Sequence, residues 1–170
     1  LAIRPHHHPF AHADRAGRIQ AAAARAGKFD QTHAARAERV CARALGGGAV
    51  TSADSFVIDM AMGDGSIGSI LYTALGDSAF PKERVETFGG GRVAVIDDFK
   101  TGLLVGNGRS RKTGGRGQDK GQAAQMEAFV RMVAEGTAPP IPVEDLLSGA
   151  AAALAALESM RTGCEVKVAW

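Results

Sequence analysis

Over most of this sequence the groups available for chemistry are Asp, Glu, Lys, Arg and Tyr, because all five histidines fall within residues 1–50. Three of them form the tract His6-His7-His8. It lacks Asp, Glu or Cys at ligand spacing, so it is read as incidental and no metal site is expected. Cys41 and Cys164 match no metal or redox spacing and are read as free thiols of a reducing cytoplasm. Residues 51–170 offer no Ser/His/Asp or Cys/His arrangement. Asp97 and Asp98 adjoin each other in an expected strand, so they point to opposite faces and cannot serve one substrate as an acid/base pair. Asp59, inside another expected strand, is assigned to solvent or to an interface.

Two motifs carry a sharper suggestion. Gly63-Asp64-Gly65-Ser66-Ile67-Gly68 matches the dinucleotide pattern G-x-G-x-x-G, in which a pyrophosphate rests on the N-terminus of the next helix. Here the following run holds Ile67, Ile70, Tyr72 and Thr73, which favour a strand. No acidic residue closes a second strand about 20 residues later, as that site requires. A β-hairpin is the better reading, with Asp64-Gly65 in a primed turn. Arg109-Ser-Arg-Lys-Thr-Gly-Gly-Arg116, with Lys120, is the one basic cluster. No stacking aromatics interleave it, so nucleic acid is disfavoured as a partner, and a solvated edge strand is expected.

Regular elements must position these residues. Ser55–Met62 alternates Phe56, Ile58, Met60 and Met62 on one face, and Ser66–Thr73 follows as its hairpin partner. Glu83–Phe88 and Arg92–Asp97 flank Gly89-Gly90-Gly91 as a second hairpin. A short strand at Leu103–Val105 turns at Asn107-Gly108 into the basic strand. Met126, Phe129, Val130 and Val133 then mark one helix, ended by Gly136. Leu147, Ala150, Leu154 and Leu157 mark a second helix, which starts at Val143 or Glu144 and is capped by Gly163. A last strand at Val166–Val168 is possible. The expected fold is α+β: a mostly antiparallel open sheet of about five or six strands, with two C-terminal helices packed on one face.

Residues 1–50 read differently, with 15 alanines, seven arginines and few large apolar side chains. Arg15–Leu45 is helical by propensity, and Gly46-Gly47-Gly48 would break that helix. The expected division is therefore 1–50, an Ala/Arg/His-rich segment of uncertain structure, and 51–170, an α+β domain. Lys+Arg of 20 against Asp+Glu of 18 leaves a net charge of +2, which argues for no polyanionic partner or membrane surface. No apolar run approaches a membrane span, and a cytoplasmic location is expected.

The string Phe56–Met62, Asp64–Gly68, Tyr72-Thr73, Gly76-Asp77, Pro81–Glu86 and Phe88-Gly89 resembles the C-terminal domain of the Gfo/Idh/MocA oxidoreductases. Val93–Phe99, Arg116–Gly121, Glu127–Phe129 and Pro139–Pro142 continue the pattern over roughly 120 residues. The branch acting on inositols and nucleotide or surface-polysaccharide sugars is the most similar. The resemblance implies a two-domain enzyme whose N-terminal Rossmann domain holds NAD or NADP. That domain is not found in this sequence, which begins with Leu, so a fragment is expected that is inactive and binds no cofactor alone. The family's Gly-x-His-x-x-Asp helix has no counterpart near residues 20–45, so no catalytic residue is carried over. A shifted reading frame over 1–50 would explain that departure. Carried over as expectations are a sugar or cyclitol substrate met by the loop Leu75–Lys82, with Asp77 and Lys82 bonding hydroxyls and Phe80 covering an apolar ring face. A homo-oligomer built through the sheet is also implied, by way of Phe56/Ile58/Met60 or Val57/Ala61. The alternative is a non-enzymatic module that assembles through its sheet.

Overall fold

The computed structural model describes residues 36–44, 54–115 and 117–169. The chain divides into two compact units, one from Thr32–Asp77 with Pro139–Trp170 and one containing Ser78–Ala138. Both are antiparallel. Among the described residues the fold is α+β, with two four-stranded sheets and two helices.

The first unit holds strands β1 (Ala37–Ala44), β2 (Ser55–Met62), β3 (Ile67–Thr73) and β8 (Val166–Lys167), in the order β3-β2-β1-β8. The expected hairpin is present, pairing Ala61 with Ile67 and Phe56 with Tyr72, whose rings stack with centroids 5.0 Å apart. Its turn differs in type. The Gly65 N–H donates to the Met62 carbonyl at 3.0 Å, and Gly65 alone is left-handed at φ 83°. That is a three-residue loop with a glycine bulge, not a primed pair. Asp64 Oδ1 accepts from the Ser66 N–H at 2.9 Å and the Ser66 hydroxyl at 2.6 Å, and the Met62 N–H closes the loop on the Ser66 carbonyl at 2.9 Å.

β1 corrects the expectation of a helix over Arg15–Leu45. Ala37–Ala44 is a strand that pairs along its length with β2, from Ala37 with Met62 to Ala44 with Phe56. Alanine's helix propensity amounts to a fraction of a kcal/mol per residue, less than a buried ladder on both edges supplies. Residues 15–35, the three glycines at 46–48 and the histidine tract lie outside the described residues.

The helix of this unit, α2, spans Val143–Thr162 and follows α1 (Gln122–Glu135) in the chain. Its start and its Gly163 cap (φ 70°) fall where the sequence put them. Its packing face does not. The stripe Leu147, Leu154 and Leu157 is 56%, 67% and 60% exposed, while Ser148, Ala155, Ala156 and Ser159 are buried. Ala155 and Ala156 meet Ala37, Val40, Ala42 and Val168, with Ile58, Met60 and Met62 beside them. Small side chains let the helix backbone approach the sheet closely, so the buried face is the one with less hydrophobic volume.

The second unit is a meander, β4 (Arg84–Gly89), β5 (Arg92–Asp97), β6 (Thr101–Gly106) and β7 (Arg109–Gly114), in that spatial order. Gly90-Gly91 (φ 54° and 70°) and Asn107-Gly108 (φ 52° and 67°) are two-residue primed turns, as hairpin twist demands. The basic strand β7 is an edge, as expected. α1 (Gln122–Glu135) follows and buries no residue; its stripe Met126, Phe129, Val130 and Val133 is 53–65% exposed.

Candidate functional site

The site is organised by the connection between β5 and β6. Asp98 and Phe99 both adopt left-handed backbone, at φ 49° and 51°, and the Lys100 N–H closes the turn on the Asp97 carbonyl at 3.0 Å. Asp98 therefore does not alternate with Asp97 in a strand, as the sequence suggested. It lies beyond the end of β5, in the turn. Left-handed backbone is tolerated by Asp but is uncommon for a bulky aromatic, so the turn at Phe99 is held by its surroundings.

Those surroundings are specific. The Asp98 N–H donates to the Glu83 carbonyl at 2.7 Å, and the Asp119 N–H donates to the Phe99 carbonyl at 3.0 Å. Gln118 Nε2 donates at 3.0 Å to both the Asp98 carbonyl and Asp98 Oδ1, and Lys100 Nζ sits 2.5 Å from Asp98 Oδ2. Asp98, only 8% exposed, is thus the hub that ties the segment before β4 and the segment before α1 to one turn. The motif Gln118-Asp119-Lys120-Gly121 has a structural role throughout. Asp119 Oδ1 accepts from the Gly121 N–H at 2.9 Å, and Gly121 (φ 77°) starts α1. Lys120 pairs with Glu83 Oε1, while Glu83 Oε2 is buried without a hydrogen-bond partner among the described residues.

Around this hub lies a cavity of about 310 Å³, lined by Ser78–Glu83, Asp98, Lys100, Gln118 and Lys120. That is near the lower end of small-ligand sites. Of the three residues expected to meet substrate, Phe80 and Lys82 line it; Asp77 belongs to the other unit and is outside the lining. Phe80 is 76% exposed, so its ring face is open for stacking. Lys100 and Lys120 are committed to carboxylates, and the Lys82 ammonium forms no ion pair among the described residues. The wall therefore offers one uncommitted cation, an apolar ring and fixed polar groups. Sequence reasoning missed Asp98 and Gln118 as organisers because their partnership spans 20 residues and depends on the left-handed turn.

The hydrogen bond and charge of Lys100 hold the Asp98 carboxyl below its usual value, against the opposing effect of burial. The same contact raises Lys100. A depressed carboxyl contributes stability above its unfolded value of 3.8, and loses it as pH falls through the lower folded value. The urea midpoint of the chain is accordingly expected to fall on acidification below about pH 4, with a smaller drop for Asp98→Asn. Identical acid profiles for the two proteins would remove Asp98 from the hub.

Among the described residues no group of three or more His, Cys, Asp or Glu side chains is placed to hold a metal. No helix there is long and apolar enough to cross a membrane. Gly63–Gly68 is the connection of an antiparallel hairpin, not a loop that opens a helix as a dinucleotide motif does.

No family model and no curated protein sequence matches the chain. Solved structures do. An oxidoreductase from Agrobacterium radiobacter, in complex with NAD+, L-tartaric acid and magnesium, superposes with a TM-score of 0.64 at 17% identity, over 78% of this chain and 44% of its own. An aldose-aldose oxidoreductase from Caulobacter crescentus, complexed with glycerol, gives 0.62 at 16%, over 78% and 42%. A UDP-N-acetylglucosamine 3-dehydrogenase from Acidithiobacillus ferrooxidans gives 0.56 at 25%, over 74% and 40%. The chain spans less than half the length of each of these proteins, and what it shares with them is the fold of part of an oxidoreductase.

Proposed function

We propose that this chain is the substrate-side part of an NAD(P)-dependent oxidoreductase of the Gfo/Idh/MocA type, acting on a sugar or cyclitol hydroxyl. The observation that carries this reading is the sheet-and-helix arrangement shared over three quarters of the chain with an aldose-aldose oxidoreductase, a UDP-N-acetylglucosamine 3-dehydrogenase and an oxidoreductase complexed with NAD+ and L-tartaric acid. The nicotinamide would accept hydride in the assembled enzyme. It would be held by a separate Rossmann domain, since the one glycine motif here is spent on a hairpin.

The role left to this chain is binding and orientation. Phe80 would cover an apolar sugar face and Lys82 would donate to hydroxyls. A cation beside an aromatic ring suits polyols, whose hydroxyls accept and whose C–H faces are apolar. The outer face of the first sheet bears Val57, Ala61, Ile67 and Leu71, the last two 88% and 69% exposed. Ile58 and Met60 are engaged under α2. This leaves the Val57/Ala61 face for a homo-oligomer, an arrangement that also fits a cytoplasmic enzyme.

The test is to express the chain joined to whatever Rossmann-encoding segment lies upstream in its DNA, and to assay sugars and cyclitols with NAD and NADP. Turnover is expected, and Lys82→Ala should raise KM about tenfold with kcat little changed, the effect of losing one charge-assisted hydrogen bond. An in-frame gene with no such segment, or no reduction of either nucleotide with any polyol, would sink the proposal in favour of a non-enzymatic module assembled through its sheet. Light scattering on the same preparation reads the oligomer directly; a monomer would remove that part of the reading.

A further inference from the structure

The second sheet segregates its charges. The register aligns Arg92 of β5, Gly106 of β6 and Arg109 of β7 in one row, and Ala94, Leu104 and Arg111 in another row on the same face. The remaining paired positions of that face are Val85, Thr87, Gly89, Ile96, Gly102 and Thr113. Three arginines thus share a face whose strand positions contain no acid, while Glu86 and Asp97 point to the other side. None of the three forms an ion pair among the described residues.

Edge protection accounts for cations on β7, which is an edge. It does not account for Arg92, which sits on an inner strand and is half-buried. Nor does it account for the glycine between them. A Cβ at Gly106 would lie 2.8 Å from Arg92 Cγ, 3.3 Å from Cδ and 3.5 Å from Nε. The Arg92 stem therefore lies over β6 in the space that Gly106 leaves, on the face where β7 carries Arg109 and Arg111. Like charges are gathered where nothing in the sheet neutralises them.

We propose that Arg92, Arg109 and Arg111 form a binding face for a ligand bearing a diphosphate. Guanidinium forks match phosphate oxygens two at a time. Arg109 and Arg111 lie two residues apart on β7 and Arg92 leans over Gly106 from two strands away, so three separate forks are offered, more than the oxygens of one phosphate can accept in pairs. Three positive charges also balance a diphosphate more closely than a neutral sugar or a single carboxylate. Nucleic acid would need stacking platforms, and the three paired rows at this end of the face hold no aromatic residue. This inference stands on the second sheet alone and holds whether or not the chain is part of an oxidoreductase.

The experiment titrates the full chain with inorganic pyrophosphate, UDP, ADP and inorganic phosphate by calorimetry at low salt. Pyrophosphate and the nucleotides are expected to bind, phosphate at least tenfold more weakly, and all more weakly as salt rises. Equal affinity for pyrophosphate and UDP makes the diphosphate the whole ligand chemistry; tighter UDP adds a nucleoside contact. Arg92→Gln and Arg111→Gln should each cost about tenfold, and Arg92→Lys nearly as much because the fork is lost. Gly106→Ala should mimic Arg92→Gln by displacing its stem. Lys112→Gln, on the same strand but the opposite face, should change little. The proposal fails if no diphosphate binds at millimolar concentration, or if folded Arg92→Gln and Lys112→Gln behave alike. It also fails if an oligonucleotide binds and pyrophosphate does not displace it.

Discussion

Ser159→Ala is expected to destabilise the first unit by about 2 kcal/mol, the cost of leaving the buried Ala42 N–H without a partner and losing the part-buried bond to the Cys164 carbonyl. Ser159 is fully buried at 0% exposure. Its hydroxyl accepts from the Ala42 N–H at 2.8 Å and donates to the Cys164 carbonyl at 2.7 Å. The need arises from the short last strand. β8 pairs only with Arg39 and Val40, so Ala42 has no strand partner on that edge, and the helix side chain takes the place of one. The second bond fixes the chain as it leaves α2 toward β8. Domains of this size hold only about 5–15 kcal/mol in total, so the midpoint of urea unfolding should move clearly while the slope stays constant. Ser159→Cys, a weaker donor and acceptor, should lose less. A loss below about 1 kcal/mol for Ser159→Ala would mean that water reaches both groups.

The strands of both units were legible wherever alternation and turn chemistry agreed. Ser55–Met62, Ile67–Thr73, Arg84–Gly89 and Arg92–Asp97 lie within a residue or so of their expected bounds, because Asp64-Gly65 and Gly89–Gly91 leave the chain few other paths. The strand-forming residues after G-x-G-x-x-G distinguish this hairpin from a cofactor loop. β1 was not legible. Ala37-Glu-Arg-Val-Cys-Ala-Arg-Ala44 has the composition of a helix, and only its place between β2 and β8 makes it a strand. The division of the strands into two sheets was equally hidden, since alternation shows which residues share a face but not which strands share a ladder. At the site, Phe80 and Lys82, which the resemblance singles out, line the cavity. Asp98 was misplaced into a strand because left-handed backbone at two successive non-glycine residues has no signature in single-sequence patterns.

Ala156→Leu is expected to cost about 3 kcal/mol although it adds hydrophobic surface, while Leu154→Ala and Leu157→Ala should each cost well under 1 kcal/mol in this chain. The sequence alone suggests the reverse. A leucine stripe at helical spacing ordinarily marks the core face, and Leu147, Leu154 and Leu157 form one. In the structure that stripe is more than half exposed, and α2 meets β1 through Ala155 and Ala156, which are 7% and 3% exposed. Opposite them stand Ala37, Val40 and Ala42, again small, with Val40 at 1%. An interface of alanine on alanine has no slack. Three more carbons at 156 must either push the helix off the sheet or force side chains from their rotamers, and both responses would strain the Ser159 bonds one turn further on. The measurement is urea unfolding of the three variants side by side, with Ala156→Gly as a fourth to separate lost propensity from crowding. If Ala156→Leu were neutral and Leu154→Ala costly, α2 would pack by its leucines, and the close approach of α2 to β1 would be wrong.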